Sequence, residues 1–133
     1  MHYRVCYADT DAGGVVYHAN YLSFFERART EFFRERGISV RQLHDEGSIF
    51  PVIRAEVDFK ASAVLDDLLL IDTTAAAIGK TSFTMRQRCL READGKLLVD
   101  AHIPLVCVAP GMKPRRIPAE LREVLEAAQE CAA

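Results

Sequence analysis

The sequence lacks several features that would place it in a familiar functional class. No apolar run approaches the ~20 residues that a membrane-spanning helix needs, and no secretory leader is visible at its start. The formal net charge is only −2, without the basic excess that nucleic-acid-binding domains direct at phosphates. These absences predict a cytoplasmic protein that has no integral membrane span and no nucleic-acid partner.

Cysteine is also scarce, and the four cysteines are too widely spread to suggest a metal site. They are Cys6, Cys89, Cys107 and Cys131. Structural zinc sites use closely spaced pairs of ligands, and no such pair is present. We therefore expect reduced cysteines that fill packing positions, and we expect neither a metal centre nor a catalytic thiol.

What the chain does contain is typical of one globular domain. Of its 133 residues, 50% are apolar and 27% are charged, which is enough apolar material for a substantial core. No repeat, low-complexity run or linker interrupts the sequence. Residues 1–133 are therefore predicted to form a single domain.

The strongest structural pattern is a helix that begins near residue 20. Its apolar side chains recur every three or four positions, which is the spacing of one helix face. They are Tyr21, Phe24, Phe25, Ala28 and Phe32. Asn20 is a suitable N-cap, and Gly37 is a suitable left-handed stop. Because the apolar face is too wide for a lone surface helix, we expect it to pack against a large partner surface.

The period of the apolar residues changes to two after a short capped helix over residues 39–46. From Ile53 to Ala61, apolar side chains alternate with charged ones, which predicts a strand with one buried face. Residues 2–7 form a shorter strand pattern. The first half of the chain therefore reads as strand, long helix, short helix and strand.

Three more strands are predicted over residues 68–78, 83–89 and 97–108. The Asp-Gly pair at 94–95 is a strong hairpin signal between the last two. Pro104 indicates an edge position or a bulge, because proline cannot donate a ladder hydrogen bond. One leading strand, a long helix and a four-stranded meander predict an α+β domain whose sheet wraps the helix.

The loop before the long helix concentrates the residues that could carry chemistry. Gly13 and Gly14 permit a tight or positive-φ backbone and close approach by a ligand. The loop leads into a helix N-terminus, where free N–H groups favour negative charge, and the carboxylate of Asp11 lies just upstream. This combination suits attack on a carbonyl whose oxygen becomes negative. The alternative is an ordinary turn, since aspartate and glycine are common in turns.

One stretch closely resembles a known family signature. It is Tyr-Ala-Asp-Thr-Asp-Ala-Gly-Gly-Val-Val-Tyr-His-Ala-Asn-Tyr, residues 7–21, and the family is the hotdog-fold acyl-CoA thioesterases. Within it, the likeness is to the 4-hydroxybenzoyl-CoA thioesterase group and its Tol-Pal-associated bacterial branch. Shorter motifs at 24–31, 56–59, 65–67 and 115–118 extend it along nearly the whole chain. The resemblance implies a hotdog fold and hydrolysis of small or medium acyl-CoA, or of aryl-CoA, to free acid and CoA.

The resemblance also implies roles for particular residues in the loop. Asp11 corresponds to the catalytic carboxylate, which acts as nucleophile or as general base, and the backbone N–H of His18 to the donor that polarises the thioester oxygen. The side chains of His18 and Tyr7 correspond to groups that line or assist the site, with a packing role as the alternative. Asp9 is expected to accept backbone N–H groups and shape the loop. Asp9 and Asp11 lack the further ligands that a cation site needs.

For the CoA end of the substrate, the resemblance indicates a turn and a C-terminal basic segment that meet nucleotide phosphates in related thioesterases. The residues concerned are Lys80, Thr81, Ser82, Arg115 and Arg116. Arginine suits bidentate phosphate contact, and lysine acts as a point charge. Gly79 stands where arginine is sometimes found, so this turn is less basic than in its relatives. The alternative for each residue is a solvated surface position. The resemblance implies no cofactor, because CoA is part of the substrate.

The family builds its site between subunits, so the resemblance also predicts a homodimer or a homotetramer. The predicted sheet leaves an exposed edge, and such edges are normally paired or protected. The alternative function is a non-catalytic partner that binds an acyl thioester or an acyl carrier protein at a membrane-associated complex. Fold alone does not separate the two, but an intact Asp11 in an intact loop favours the enzyme.

Overall fold

A computed structural model describes residues 1–130 of the chain. Five strands form one antiparallel sheet: β1 (His2–Arg4), β2 (Glu56–Phe59), β3 (Leu68–Ile78), β4 (Ser82–Arg91) and β5 (Lys96–Val106). Their order across the sheet is β1-β3-β4-β5-β2. A short ribbon pairs β6 (Val108–Ala109) with β7 (Lys113–Pro114), and the helices are α1 (Asn20–Glu35), α2 (Val40–Asp45) and α3 (Ala119–Ala127). The predicted α+β architecture is confirmed.

Helix α1 packs on one face of the sheet and supplies most of the aromatic core. Its apolar stripe is buried as the spacing predicts, and the facing side chains come from alternate positions of β4, such as Phe83, Met85 and Cys89. Burying one large apolar side chain contributes roughly 1.5–3 kcal/mol, whereas an exposed pair such as Glu31 with Arg34 contributes a few tenths. Packing against the sheet therefore holds the helix.

Several predicted boundaries shift by a few residues. The first strand ends at Arg4, and Tyr7–Asp9 forms a 3₁₀ turn instead. The prediction that Asn20 caps α1 is wrong, because Ala19 occupies the N-cap position and the Asn20 amide donates to the Asp9 carbonyl at 2.9 Å. Gly37 does end the helix region in a left-handed conformation, with φ +81°.

The strand predicted over Ile53–Ala61 is the largest departure from the sequence expectation. Only Glu56–Phe59 pairs regularly with β5, and its apolar face is open, since Ile53 is 61% exposed and Phe59 is 51% exposed. The reason is position: β2 is the last strand of the sheet, where α1 contributes only the ring of Tyr21 beside Phe59. Pro104 lies in β5 just past the end of this pairing, at an irregular edge as expected.

The two edges of the sheet differ in what covers them. The β3 edge is covered by β1 near Leu68 and, farther along, by the C-terminal segment, where the Ala75 N–H donates to the Ala128 carbonyl at 3.0 Å. Arg86 pairs with Glu130 at 3.5 Å and helps to hold that segment. Within residues 1–130, β2 has a strand neighbour on one side only. The open edge of the protomer is therefore at β2.

Cys89 and Cys107 are buried and unpaired, as expected for packing residues, and burial raises the pKa of the Cys89 thiol to about 12. Cys6 is exposed, and Cys131 lies outside the described residues. Across residues 1–130, no group of three or more metal-ligating side chains is assembled. No helix in the described part of the chain combines the length and apolar character needed to cross a bilayer.

Candidate active site

The loop of residues 10–16 folds into a tight turn beside the start of α1. The Asp11 N–H donates to the Val15 carbonyl at 2.9 Å, and the Gly14 N–H donates back to the Asp11 carbonyl at 3.0 Å. Gly14 has φ +80°, a conformation that side chains with a Cβ adopt at a cost. The predicted need for a positive-φ glycine is thus met at Gly14.

The Asp11 carboxylate is held at one oxygen and free at the other. Its Oδ1 accepts from the Gly13 N–H at 2.8 Å, and a Cβ at Gly13 would lie 3.2 Å from that oxygen. The side chain is exposed, and its Oδ2 has no hydrogen-bond partner among residues 1–130. The carboxylate is therefore oriented by the turn while one oxygen can meet a ligand.

Asp9 has the structural role that was expected of it. Its Oδ2 accepts from the Tyr3 hydroxyl and from the Cys6 N–H, both at 2.8 Å, and its carbonyl accepts from Tyr17 and Asn20 at 2.9 Å. Burial, followed by the bond to Asp9, raises the pKa of Tyr3 to about 12. Asp9 thus ties the first strand, the loop and the helix start together.

The start of α1 is anchored to the segment between β2 and β3 by the residues on either side of His18. The Val16 N–H donates to the Ala63 carbonyl at 2.9 Å, and the Ala63 N–H donates to the Tyr21 hydroxyl at 3.3 Å. Burial raises the pKa of that hydroxyl. The backbone N–H of His18 has no acceptor within the described chain, so it is a free donor at a rigid helix N-terminus.

A cavity of about 350 Å³ brings Asp11 and His18 to the same space. Its walls come from the loop, from α1 and from the end of β2, and the residues are Asp11, Val15, Val16, His18, Tyr21, Phe59, Lys60, Ala61 and Ser62. The His18 ring meets the Phe59 ring edge-on, with centroids 6.2 Å apart. Tyr7 is not on this wall, and its side chain is 82% exposed. Its assisting role stays a prediction.

Phe59 and Lys60 are wall residues that the sequence analysis did not place in the site. The motif at residues 56–59 contributed only to the family resemblance, and the alternating pattern predicted that Phe59 lies on a buried strand face. The motif at residues 56–59 could have indicated Phe59 and Lys60, because it ends at the exposed edge of the sheet. Phe59 thus belongs both to the cavity and to the open edge.

The two predicted basic segments lie next to each other. The Ile117 N–H donates to the Lys80 carbonyl at 3.1 Å, which places Arg116 beside the turn at residues 79–82. The Cys107 N–H donates to the Thr81 carbonyl at 2.6 Å. The Gly79 N–H donates to the Ser82 carbonyl at 2.7 Å and closes the turn. Both contacts use backbone atoms.

Arg115 faces a different direction from this turn. Its Nη1 donates to the carbonyl of Glu46, at the end of α2, over 3.2 Å. The predicted basic groups are therefore divided: Lys80 and Arg116 belong to the turn region, whereas Arg115 also holds the end of a helix.

Within one protomer, this basic turn and the Asp11 loop lie at opposite ends of the sheet. Near the loop, the Lys60 N–H donates to the Leu98 carbonyl of β5 at 2.8 Å. At the turn, Val106 of β5 pairs with Ser82 of β4. Leu98 and Val106 are separated by about 27 Å along the strand. The structure does not bring Asp11 and Lys80 into one site of a single chain.

Comparison with known proteins identifies the family of the chain. Residues 13–98 match the family model described as Thioesterase superfamily. The chain is 47% identical over 116 residues to the acyl-CoA thioester hydrolase YbgC of Escherichia coli O6:H1, covering 86% of each chain. It is 40% identical over 121 residues to the acyl-CoA thioesterase YbgC of Haemophilus influenzae, covering 90% of this chain and 88% of that one.

A solved structure gives the same result for the fold. A 1,4-dihydroxy-2-naphthoyl-CoA thioesterase from Synechocystis superposes with a TM-score of 0.89 at 25% identity, covering 94% of this chain and 93% of that one. The predicted hotdog fold, an antiparallel sheet around one long helix, is confirmed. On the matched residues and on this shared fold, the chain belongs to the thioesterase superfamily.

Proposed function

We propose that the protein hydrolyses acyl-CoA thioesters to free acid and CoA, with Asp11 as the reacting carboxylate. The observation that carries this proposal is the cavity that His18, at the start of α1, lines together with Asp11, which has one carboxylate oxygen without a hydrogen bond among residues 1–130. The relatives that are named as acyl-CoA thioester hydrolases support the substrate class. The proposed reaction uses no metal, and CoA enters as part of the substrate and not as a separate cofactor. A cytoplasmic location stays a prediction.

The chemistry follows from the positions of these groups. The thioester oxygen accepts from the N–H of His18, and such a donor stabilises the developing negative charge by ~3 kcal/mol. The α1 dipole adds to this, because its positive end points at the same place. The Gly13 N–H keeps the carboxylate oriented while its other oxygen meets the substrate.

Asp11 then acts in one of two ways. As a nucleophile, its oxygen bonds to the carbonyl carbon, the C–S bond breaks, and CoA leaves as a thiolate that takes up a proton; water then cleaves the mixed anhydride and restores the carboxylate. As a general base, Asp11 takes a proton from water while the hydroxide attacks the same carbon; the C–S bond then breaks, and the proton on Asp11 passes to the leaving CoA thiolate. Hydroxylamine separates the two when the protein is analysed by mass spectrometry, since it converts an Asp11 anhydride to an Asp11 hydroxamate, whereas general-base catalysis leaves Asp11 unmodified.

We also propose that the complete site is shared between two copies of the chain. The β2 edge has no neighbour on its outer side among the described residues and is flanked by exposed apolar side chains, which are Val52, Ile53, Phe59, Val64 and Leu65. Pairing two such edges antiparallel across a two-fold axis protects both of them. The same operation places Lys80 and Arg116 of a second copy at the Asp11 end of the joined sheet, where they can meet the CoA phosphates.

The test of the proposed function is thiol release from a panel of acyl-CoA and aryl-CoA substrates, with Asp11→Asn as the matched control. We expect turnover of at least one small, medium or aryl thioester, abolished in the variant. The alternative, a non-catalytic thioester or carrier-protein binder, predicts silence across the panel together with measurable binding. Light scattering gives the assembly state, and an active species with the mass of one 14.9 kDa chain would rule out the shared site.

A further inference from the structure

Arg91 is the last inward-facing residue of β4, at the Asp11 end of the sheet. The inward residues before it recur at every second position and are buried in the core. They are Phe83, Met85, Gln87 and Cys89. Arg91 is the next residue in this alternation, and across the sheet it lies opposite Leu69, which is fully buried. A cation therefore occupies the position where the apolar core of β4 ends.

The guanidinium of Arg91 joins β4 to two loops. Its Nη1 donates to the Asp94 carboxylate in the β4–β5 hairpin at 2.9 Å, and its Nη2 donates to the Ser62 carbonyl between β2 and β3 at 3.2 Å. Its Nε lies 3.5 Å from Oδ2 of Asp67. One cation thus meets three oxygen acceptors that belong to two separate loops.

The segment that Arg91 holds, residues 60–67, forms one wall of the candidate active site. Its first three residues line the cavity there, and the carbonyl that Arg91 binds belongs to the third, Ser62. Farther along, the Asp67 Oδ2 accepts from the Val64 N–H at 3.0 Å and closes the end of the segment. Arg91 therefore contacts the segment at the cavity wall and also at the residue that closes its far end.

The residue that follows in the segment, Ala63, anchors the start of α1 on both sides of His18. Its carbonyl accepts from the Val16 N–H at 2.9 Å, and its N–H donates to the Tyr21 hydroxyl at 3.3 Å. Burial raises the pKa of Tyr21, and the charge of Arg91 lowers it by a smaller amount. That influence places Arg91 close to the same anchor. A change at Arg91 therefore reaches the neighbours of His18 through two consecutive residues of one segment.

No other donor in the described chain replaces the contact at Ser62. Within that part of the chain, its carbonyl accepts from Arg91 alone. The start of the segment is fixed separately, because the N–H groups of Lys60 and Ala61 both donate to the Leu98 carbonyl. We therefore expect the loss of Arg91 to loosen the cavity wall while the pairing of β2 with β5 stays intact.

We propose that Arg91 is a positioning residue of the active site, whose bond to the Ser62 carbonyl fixes the backbone N–H of His18. The inference rests on the proposed function, in which that N–H stabilises the thioester oxygen as it becomes negative. Such a donor works because its direction is fixed before the reaction, and a misplacement of about 1 Å can cost about 10²-fold in rate. Arg91 does not line the cavity, so it acts on this donor and not on the substrate.

The first experiment compares Arg91→Met with Arg86→Met in the full-length protein. Arg86 is a matched control, because it lies on the same strand, pairs with Asp100 at 3.0 Å, and has a side chain 31% exposed against 26% for Arg91. Neither Arg86 nor Asp100 lines the cavity. We expect denaturant melts to show similar losses of stability, whereas only Arg91→Met lowers kcat, by about tenfold, with KM unchanged. Equal loss of kcat in both variants would assign the effect to stability and overturn the inference.

Amide hydrogen exchange tests the same link without any turnover. In Arg91→Met, the amides of Val16 and Ala63 should exchange faster than in the wild-type protein, because the hydrogen bonds that protect them lose their support. In Arg86→Met, both amides should exchange as they do in the wild type. Unchanged exchange of Val16 and Ala63 in folded Arg91→Met would overturn the inference.

The outcomes also distinguish this inference from the proposed function. If the wild-type protein hydrolyses thioesters and Arg91→Met keeps its kcat, the role of Arg91 is rejected and the hydrolysis proposal stands. A rise in KM at constant kcat would reject that role too, because such a result would assign Arg91 to substrate binding. If the wild type is silent with every thioester, the proposed function fails, and exchange at Ala63 then decides whether Arg91 holds the start of α1.

Discussion

The two ends of the sheet use their polar groups in opposite ways. At the Asp11 end, a carboxylate oxygen of Asp11 and the backbone N–H of His18 are left without partners in the described chain, and both residues line one cavity. At the other end, the carbonyls of the turn at residues 79–82 are all occupied, by backbone donors and by Arg122. The first arrangement suits bond breaking, and the second suits a rigid frame that presents charge.

The largest expected effect comes from removing the reactive group at the first end. Asp11→Asn keeps the shape and the acceptor for the Gly13 N–H but removes the charge and the basicity. Loss of a catalytic base typically costs 10²–10⁴-fold, so we expect kcat to fall by about 10³-fold while substrate binding is largely retained. Thiol release and equilibrium binding measure the two quantities. Near-native kcat in the variant would show that Asp11 is only a turn residue.

A mixed assembly tests whether the two ends of different copies cooperate. The double variant Lys80→Ala with Arg116→Ala should lose roughly 10–100-fold in kcat/KM, since two charge-assisted phosphate contacts disappear. Mixed with Asp11→Asn protein and allowed to exchange subunits, it should recover about a quarter of the wild-type activity. The reason is that half of randomly formed dimers carry one intact site.

The control for that experiment is each variant exchanged with itself, which should keep only its own reduced activity. Recovery well above the controls places Asp11 and the basic turn on different subunits. If exchange is confirmed by mass spectrometry of the assemblies and no activity returns, the two ends do not share a site. In that case, the Asp11 loop and the basic turn would be functionally unrelated regions.

Gly14→Val addresses the backbone that orients Asp11. A β-branched residue at φ +80° should cost ~1–3 kcal/mol of stability and lower kcat by displacing the carboxylate. Gly37→Val is a matched control, because Gly37 has φ +81° and follows the end of α1 that is opposite to the loop. Denaturant melts should show similar destabilisation of both variants, with the loss of kcat confined to Gly14→Val. Equal loss in both would assign the effect to stability alone.

The smallest expected effect comes from loosening the backbone of the basic turn at residues 79–82. Arg122 donates to the Gly79 carbonyl at 2.6 Å and lies on α3. Arg122→Ala should destabilise the protein by about 0.5–1.5 kcal/mol and raise KM for acyl-CoA without changing kcat, because it loosens the turn and not the reacting groups. Initial-rate kinetics across a substrate range distinguish the two constants. A fall in kcat at constant KM would contradict the division of roles between the ends.

The local elements could be predicted from the sequence because their signals are local. The apolar spacing of α1, the alternation in β4 and the glycine at residue 14 each depend on neighbours a few positions away, and all three are as predicted. The importance of Asp11 came from a motif of consecutive residues. The carboxylate oxygen of Asp11 without a partner and the cavity beside it are visible only in the folded chain, since the end of β2 supplies part of the cavity wall.

Tertiary structure alone decided which apolar or charged side chains would be covered. Alternation from Ile53 to Phe59 correctly identified an apolar face, but periodicity does not say what lies against it, and in the protomer both side chains are exposed. Arg29 shows the reverse case: an arginine within an apolar stripe is buried because Gln87, 58 residues away, meets it in the core. The sequence by itself therefore determined the elements and the likeness, since both are encoded in short spans. Burial and the sharing of sites depend on contacts between distant spans, and only the folded chain decides them.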